Sequence, residues 1–315
     1  MWVHSSTLLG KGDKVLTVNI PFNKDFDVPY GVVEQIAPGI RRITANNPGP
    51  FTFRGTGTYI LGEGQVAVID PGPNLSEHVN AILEGLGNET VSHILITHTH
   101  NDHSPAAKAL KERTGAPTYG FGPHGSGKAE RAITIEAGGD MDFIPDEFTP
   151  DGCTIDGDGW RISCVHTPGH TSNHLCFSWD SEKALFPGDQ VMGWSTSIVS
   201  PPDGDMGDYL RSLDKLLLRE DKVFYPTHGP EIREPHTIIK AFQQHRLERE
   251  RKIIECLDTG FDTIEKMLPV VYADVSQNLH AAAARSLFAT IIYLVEEQRI
   301  VTLEKLSINS RYRSK

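Results

Sequence analysis

Short apolar runs alternate with polar segments marked by glycine and proline through roughly the first three-quarters of the chain. Val66-Ala67-Val68-Ile69 is uninterrupted and mostly β-branched, the pattern of a buried strand, and it ends in the turn former Asp70-Pro71-Gly72. Ile94-Leu95-Ile96 is a second such run, and further strands are predicted over 160–166, 174–179 and 183–187 and at Val223-Phe224-Tyr225. Helical periods fall between them. One runs from Ser76, a candidate cap with Glu77 in the first turn, to about Leu86. A second carries Ala107, Leu110 and Lys111 and stops near Gly115. A third, Asp208 to Leu218, puts Leu210, Leu213, Leu216 and Leu217 on one face. Residues 1–30 have little periodicity and are expected to form an arm or an extra edge strand. The alternation predicts an α/β chain.

Beyond Pro235 the texture becomes mostly helical. His236 to Leu257 sets Ile238, Ile239, Phe242, Ile253, Ile254 and Leu257 among charges, with Glu248 and Lys252 placed for an i,i+4 ion pair. Helices are also predicted over Phe261–Leu268 and Asn278–Glu297, followed by a β-wing at Arg299-Ile300-Val301-Thr302-Leu303. The chain therefore divides into a domain over 1–235 and a smaller one over 236–315.

The 315 residues suffice for a full core and an accessory domain, and 38% hydrophobic with 23% charged residues is ordinary globular composition. No run of apolar residues is long enough to predict a membrane span, and Met1-Trp2-Val3-His4-Ser5 lacks the basic start of a signal peptide. Cys153, Cys164, Cys176 and Cys256 form no Cys-x-x-Cys pair and are expected to be reduced, in keeping with a cytoplasmic protein. The net charge of −11 disfavours broad nucleic-acid binding, which needs phosphate neutralisation. Residues 236–315 carry +2 of it, with one thin basic cluster of Arg246, Arg249, Arg251 and Lys252 interleaved with Glu248 and Glu250.

The chemistry concentrates in His98-Thr99-His100-Asn101-Asp102-His103, directly behind Ile94-Leu95-Ile96. Ligands gather at the carboxyl ends of such strands. Extended backbone there sends His98 and His100 to one side, while Asp102 and His103 fall on the turn entering the next helix. Two metals are implied, provided more ligands arrive. Candidates follow three later strands: His170 in Thr167-Pro168-Gly169-His170-Thr171, Asp189 in Pro187-Gly188-Asp189, and His228 in Pro226-Thr227-His228-Gly229. Of the 14 histidines, His4, His78, His93, His124, His166, His236, His245 and His280 lack this setting and are expected to be ordinary surface or hydrogen-bonded residues. His174 is placed in or near a substrate pocket, where it could protonate a leaving group. Asp70 is expected to orient a ligating imidazole through its remote N–H.

The ordered set His-x-His-x-Asp-His, His, Asp, His resembles the metallo-β-lactamase superfamily over roughly residues 31–235. The resemblance implies an αββα sandwich. It also implies His98, His100 and His170 as ligands of a first metal, Asp102, His103 and His228 of a second, and Asp189 as the bridge. Within the superfamily the text is most similar to the mitochondrial lactamase-beta-like endoribonucleases and their bacterial relatives. That likeness rests on Asn47-Pro48-Gly49-Pro50, Gly55-Thr56-Gly57-Thr58-Tyr59, His170-Thr171-Ser172-Asn173-His174 and the C-terminal extension, which resembles a winged helix. Gly57 stands where that group usually has Asn, and Pro105-Ala106 where it has Gly-Gly; neither is a ligand.

Nitrogen and oxygen ligands suit two Zn²⁺ per chain, with Mn²⁺ or Fe left open. A hydroxide held between two ions about 3.5–4 Å apart is the expected nucleophile, with Asp102 holding the second metal and helping to orient it. The expected reaction is hydrolysis of a small carboxyl ester, thioester or lactam. The alternatives are a metal-dependent endoribonuclease acting on single-stranded RNA and, from a weaker likeness, a mononuclear-iron persulfide dioxygenase. The expected partner is a small-molecule substrate, with no membrane; a homodimer is left open.

Overall fold

The computed structural model describes residues 19–128 and 138–315. Expectations for residues 1–18, including the start of the arm and His4, lie outside the described residues.

The first sheet has seven strands in sequential order: β1 (Val33–Ala37), β2 (Ile40–Thr44), β3 (Gly57–Leu61), β4 (Gln65–Ile69), β5 (Thr90–Leu95), β6 (Thr118–Gly120) and β7 (Glu147–Phe148). β1 to β4 form an antiparallel meander, and β4 to β7 are parallel. The second sheet orders β12 (Val223–Phe224), β11 (Ala184–Phe186), β10 (Leu175–Trp179), β9 (Arg161–His166) and β8 (Thr154–Asp156) side by side. The period of two along β3 and β4 sorts side chains into layers. Tyr59, Leu61, Ala67 and Ile69 meet Ile162, Phe177 and Phe186 of the second sheet. Ile60, Val66 and Val68 face outward, under Ile82 of α1 (Ser76–Leu86) and Leu110 of α2 (Ala106–Thr114). On the far side, Cys176 and Leu185 are covered by Tyr209 and Leu213 of α3 (Met206–Leu217) and by Ile239 and Phe242 of α4 (Pro235–Asp258). These four layers are the expected αββα sandwich.

α4 begins at Pro235, where the texture changes, but its first turns belong to the sandwich core. Its later residues Ile253, Cys256 and Leu257 join a separate core with α5 (Ile264–Val271), α6 (His280–Glu296) and the pair β13 (Ile300–Thr302) and β14 (Tyr312–Ser314). The stretch Gln277–Glu296, mean hydropathy 1.2, is long and apolar enough to cross a membrane by length and composition alone. In this fold Leu287, Ile291 and Leu294 on one side of it fill the C-terminal core.

Local details differ from the sequence expectation. Ser76 is the first helical residue of α1 rather than its cap, which is Leu75 without a side-chain bond. α3 starts earlier than its leucines suggest, because Asp205 accepts from the Asp208 N–H. Two of the four residues in the basic cluster are not surface charges. Arg246 is buried over the Tyr209 ring and donates to the Ser197 carbonyl, and Arg249 is buried over Tyr272 and paired with Asp274. Glu248 and Lys252 stand 3.8 Å apart, as their spacing predicts.

Candidate metal centre

All seven candidate ligands meet at one edge of the sandwich, each carried by the segment leaving a strand. The turn after β5 holds His98, His100, Asp102 and His103, while His170, Asp189 and His228 follow β9, β11 and β12. Glycines let two of these turns close. A Cβ on Gly169 would lie 2.3 Å from the Tyr209 backbone, and one on Gly188 would lie 2.7 Å from His174 Nε2, with both residues at positive φ.

Two triads form. His98 Nε2 and His170 Nε2 lie 2.9 and 3.1 Å from His100 Nδ1. In the other, Asp102 Oδ2 lies 3.1 Å from His228 Nε2 and 3.7 Å from His103 Nε2. Asp189 stands between them, with Oδ2 3.6 Å from His103 Nε2 and 3.7 Å from His170 Nε2, and Oδ1 3.5 Å from His228 Nε2.

The remote nitrogens fix which atoms face inward. His103 Nδ1–H donates to Asp70, His170 Nδ1–H to the Ile198 carbonyl at 2.6 Å, and His228 Nδ1–H to the Gly55 carbonyl at 3.1 Å. Thr97 gives its hydroxyl proton to Asp70 and therefore accepts from His98 Nδ1–H. Four imidazoles thus turn Nε2 lone pairs toward two carboxylates. A set of converging acceptors is stable only around positive charge, either protons or metal ions. His103 Nε2, His228 Nε2 and Asp189 Oδ1 are buried with no hydrogen-bond partner among the described residues, as atoms that bind metal would be. Asp70 occupies the orienting position expected of it.

Electrostatics separate the triads. Burial and the neighbouring imidazoles push His98 well below the usual histidine range, and burial with His170 lowers His100 to about 3. Burial also works against charge on His103, but Asp102, Asp189 and Asp70 outweigh it and push His103 well up. His228 is raised by Asp189 and Asp102 against the same burial. Burial works to raise Asp102 and Asp189, yet the nearby histidines hold both below the usual carboxylate range. Protons that balance the carboxylates must therefore leave before a divalent ion can take their place.

His174 lies beside the pocket and not on its wall. It is fully buried behind His98, with ring centroids 5.1 Å apart; Nε2 accepts from the Asp189 N–H, and Nδ1 pairs with Thr167 Oγ1. With both nitrogens engaged, it positions Asp189 and His98 and does not line the pocket.

Above the cluster is a cavity of about 320 Å³. Phe51, Met192, Ile198 and Ala282 give it apolar walls, and Arg285 of α6 adds a cation. The expected border segment 194–202 contributes Ile198 and Ser200. Phe51, Met192 and Arg285 were missed from sequence. No local motif marks them, since each comes from a different part of the chain.

A family model described as "Metallo-beta-lactamase superfamily" matches residues 52–228, and one described as "Beta-lactamase associated winged helix domain" matches 263–307. The chain is 31% identical over 264 residues to the Beta-lactamase-like protein 2 homolog of Caenorhabditis elegans, covering 80% of this chain and 82% of that protein. It is 31% identical over 233 residues to Atrochrysone carboxyl ACP thioesterase dmxR1 of Cryptosporiopsis sp. (strain 8999), covering 73% of this chain and 66% of that one. Its fold matches a metallo-beta-lactamase family protein from Thermus thermophilus with a TM-score of 0.73 and 22% identity, over 89% of this chain and 100% of that chain.

Proposed function

The chain belongs to the metallo-β-lactamase superfamily, and from that premise we propose that it hydrolyses an acyl thioester over two zinc ions. The observation that carries this reading is the convergence of imidazole lone pairs and carboxylates beneath an apolar-walled pocket. His98, His100 and His170 would hold one ion and Asp102, His103 and His228 the other, with Asp189 between them. When bound, such a pair supplies a hydroxide nucleophile near neutral pH and stabilises the developing oxyanion.

The protein's own part is placement. Asp189, fixed by its N–H to His174 and by its carbonyl to the Ser197 hydroxyl, sets the spacing of the triads. Asp102 lines the pocket and would orient the nucleophile. Phe51, Met192, Ile198 and Ala282 would give the acyl group its apolar wall.

Water adds across the C–S bond: oxygen joins the acyl carbon and sulfur departs. A thiol has a pKa near ~8.5, so it leaves as thiolate without a proton donor. That suits a site in which His174 is sealed behind His98. An ester alkoxide or a lactam amine makes a poorer leaving group there. Three relatives named as atrochrysone carboxyl ACP thioesterases support the same choice. Against the endoribonuclease alternative, Arg246 and Arg249 are buried and line a cavity instead of an open face for RNA.

The test is a turnover panel on the purified, zinc-loaded chain with a thioester, a chromogenic lactam, a phosphodiester and single-stranded RNA. The thioester should be hydrolysed fastest, and both chelation and Asp189→Asn should remove most of the activity. RNA or phosphodiester cleavage exceeding thioester turnover would overturn the proposal.

A further inference from the structure

A second cavity, about 480 Å³, adjoins the metal pocket and shares Phe51, Ile198 and Ala282 with its wall. It lies between the sandwich and the C-terminal module. Its charge is uneven: Lys24, Arg246 and Arg249 line it against one carboxylate, Asp274. Asp274 is already held by Arg249, through both oxygens at 2.8 Å.

Its walls also carry donors without acceptors. Trp194 Nε1–H and Arg246 Nε–H are buried and have no hydrogen-bond partner among the described residues, and neither does His245 Nδ1. The His245 proton can be placed. Burial and the two arginines lower this ring to about 3, so it is neutral, and Arg249 Nε donates to its Nε2 at 3.3 Å. The remaining proton sits on Nδ1. Three N–H groups on residues that line one cavity therefore lack acceptors among the described residues. Water could satisfy such donors, but it would not neutralise the excess positive charge. An oxygen-rich anion does both.

We propose that this cavity binds the phosphate-bearing thiol arm of the substrate, a phosphopantetheine-type arm, while the acyl carbonyl sits in the metal pocket. The inference rests on the thioester reading and adds what the acyl group is carried on. Coenzyme A and an acyl carrier protein present the same arm. Both share the phosphate, which the cations and N–H donors of this cavity would meet. It also gives the C-terminal module a role in substrate selection, since His245, Arg246, Arg249 and Asp274 all lie beyond Pro235.

The experiment is calorimetric titration of the full, zinc-loaded chain with S-methyl phosphopantetheine and with S-methyl pantetheine, the methyl keeping sulfur off the metals. The phosphorylated probe should bind roughly tenfold or more tightly, as a charge-assisted contact predicts. Lys24→Glu reverses a cation that is exposed and unpaired among the described residues, so folding should be unaffected while the preference falls to about threefold or less. Trp194→Phe, which removes one donor and keeps a ring against Phe53, should weaken the phosphorylated probe as well. Equal affinity for the two probes, or no binding of either at millimolar concentration, would overturn the inference. S-methyl coenzyme A and an S-methylated holo carrier protein, run as separate competitors, identify the bearer of the arm: displacement by either supports the inference and displacement by neither refutes it. Parallel turnover assays separate the two claims. Thioester hydrolysis without phosphate preference overturns the cavity assignment alone, and phosphate preference without hydrolysis overturns the thioester reading.

Discussion

Asp70 Oδ2 lies 2.9 Å from His103 Nδ1, and neither side chain has exposed surface. Asp70 follows β4 at a φ of 47°, a strained position for a residue other than glycine, and its carboxylate accepts four hydrogen bonds. Its Oδ1 accepts from the Thr97 N–H at 2.8 Å, and Oδ2 accepts from His103 and from the hydroxyls of Thr97 and Thr227. One carboxylate thus ties together the segments after β4, β5 and β12, and it sets the tautomer of a ligand.

Asp70→Asn tests that arrangement. Whichever way the amide is turned, its NH₂ faces at least one of the four donors, and the charge opposite His103 is lost. Affinity for the second metal should fall about 10–100-fold, as for other orienting partners of ligating histidines. Chelator competition on the purified variant measures it. Unchanged affinity at both metals would show that Asp70 only stabilises the fold.

Gly188→Ala should disturb the site from the opposite side. The new methyl would press on His174 Nε2 and on Thr97 Oγ1, 2.7 and 2.9 Å away, at a residue with a φ of 50°. Asp189 would shift, because His174 accepts its N–H. Metal content and turnover should both drop, along with a few degrees of Tm. Wild-type metal content in a folded variant would remove Gly188 from the argument.

Much of this arrangement was legible in the sequence, for a physical reason. A ligand leaving a buried strand must turn sharply, so each of His170, Asp189 and His228 is announced by a neighbouring Gly or Pro behind an apolar run. The β-branched runs likewise located β4 and β5. What stayed hidden depends on packing across the fold. His174 lies in the same motif as His170, and only the layering of rings shows that it faces away from the pocket. Arg246 and Arg249 look like surface charge among Glu248 and Glu250, because nothing local reveals that Tyr209 and Tyr272 cover them. Arg285 and Phe51 meet at the pocket only once the C-terminal module has docked.

Stability should carry the signature of a buried neutral histidine. Thr58 donates its hydroxyl proton to the Asp70 carbonyl, so His78 Nε2–H donates to Thr58 Oγ1, and burial lowers this ring to about 4 from an ordinary 6.5. Between those values the unfolded chain binds a proton that the folded chain excludes, so acid favours unfolding. The contribution is complete above pH 6.5 and is lost as pH falls toward 4, with a slope approaching about 1.4 kcal/mol per pH unit. His78→Gln keeps a donor for Thr58 and removes the titration. Its Tm should decline less steeply than the wild type's from pH 7 to pH 4.5, whereas parallel curves would rule out this role for His78.

Single-stranded RNA should bind weakly, and with little salt dependence. Steep salt dependence needs many phosphate contacts, each releasing counterions. Of the four basic residues clustered on α4, Arg246 and Arg249 are buried, Arg251 pairs with Glu255, and Lys252 stands near Glu248. Arg285 and Lys24 line substrate-sized cavities, not a groove for an extended strand. Fluorescence anisotropy with a labelled single strand at 50 and 200 mM salt would measure this, with an expected Kd no tighter than about 10⁻⁵ M and a shallow slope. A nanomolar Kd that weakens a thousandfold between the two salts would instead require a phosphate-binding face, and would move the endoribonuclease reading ahead of the thioesterase one.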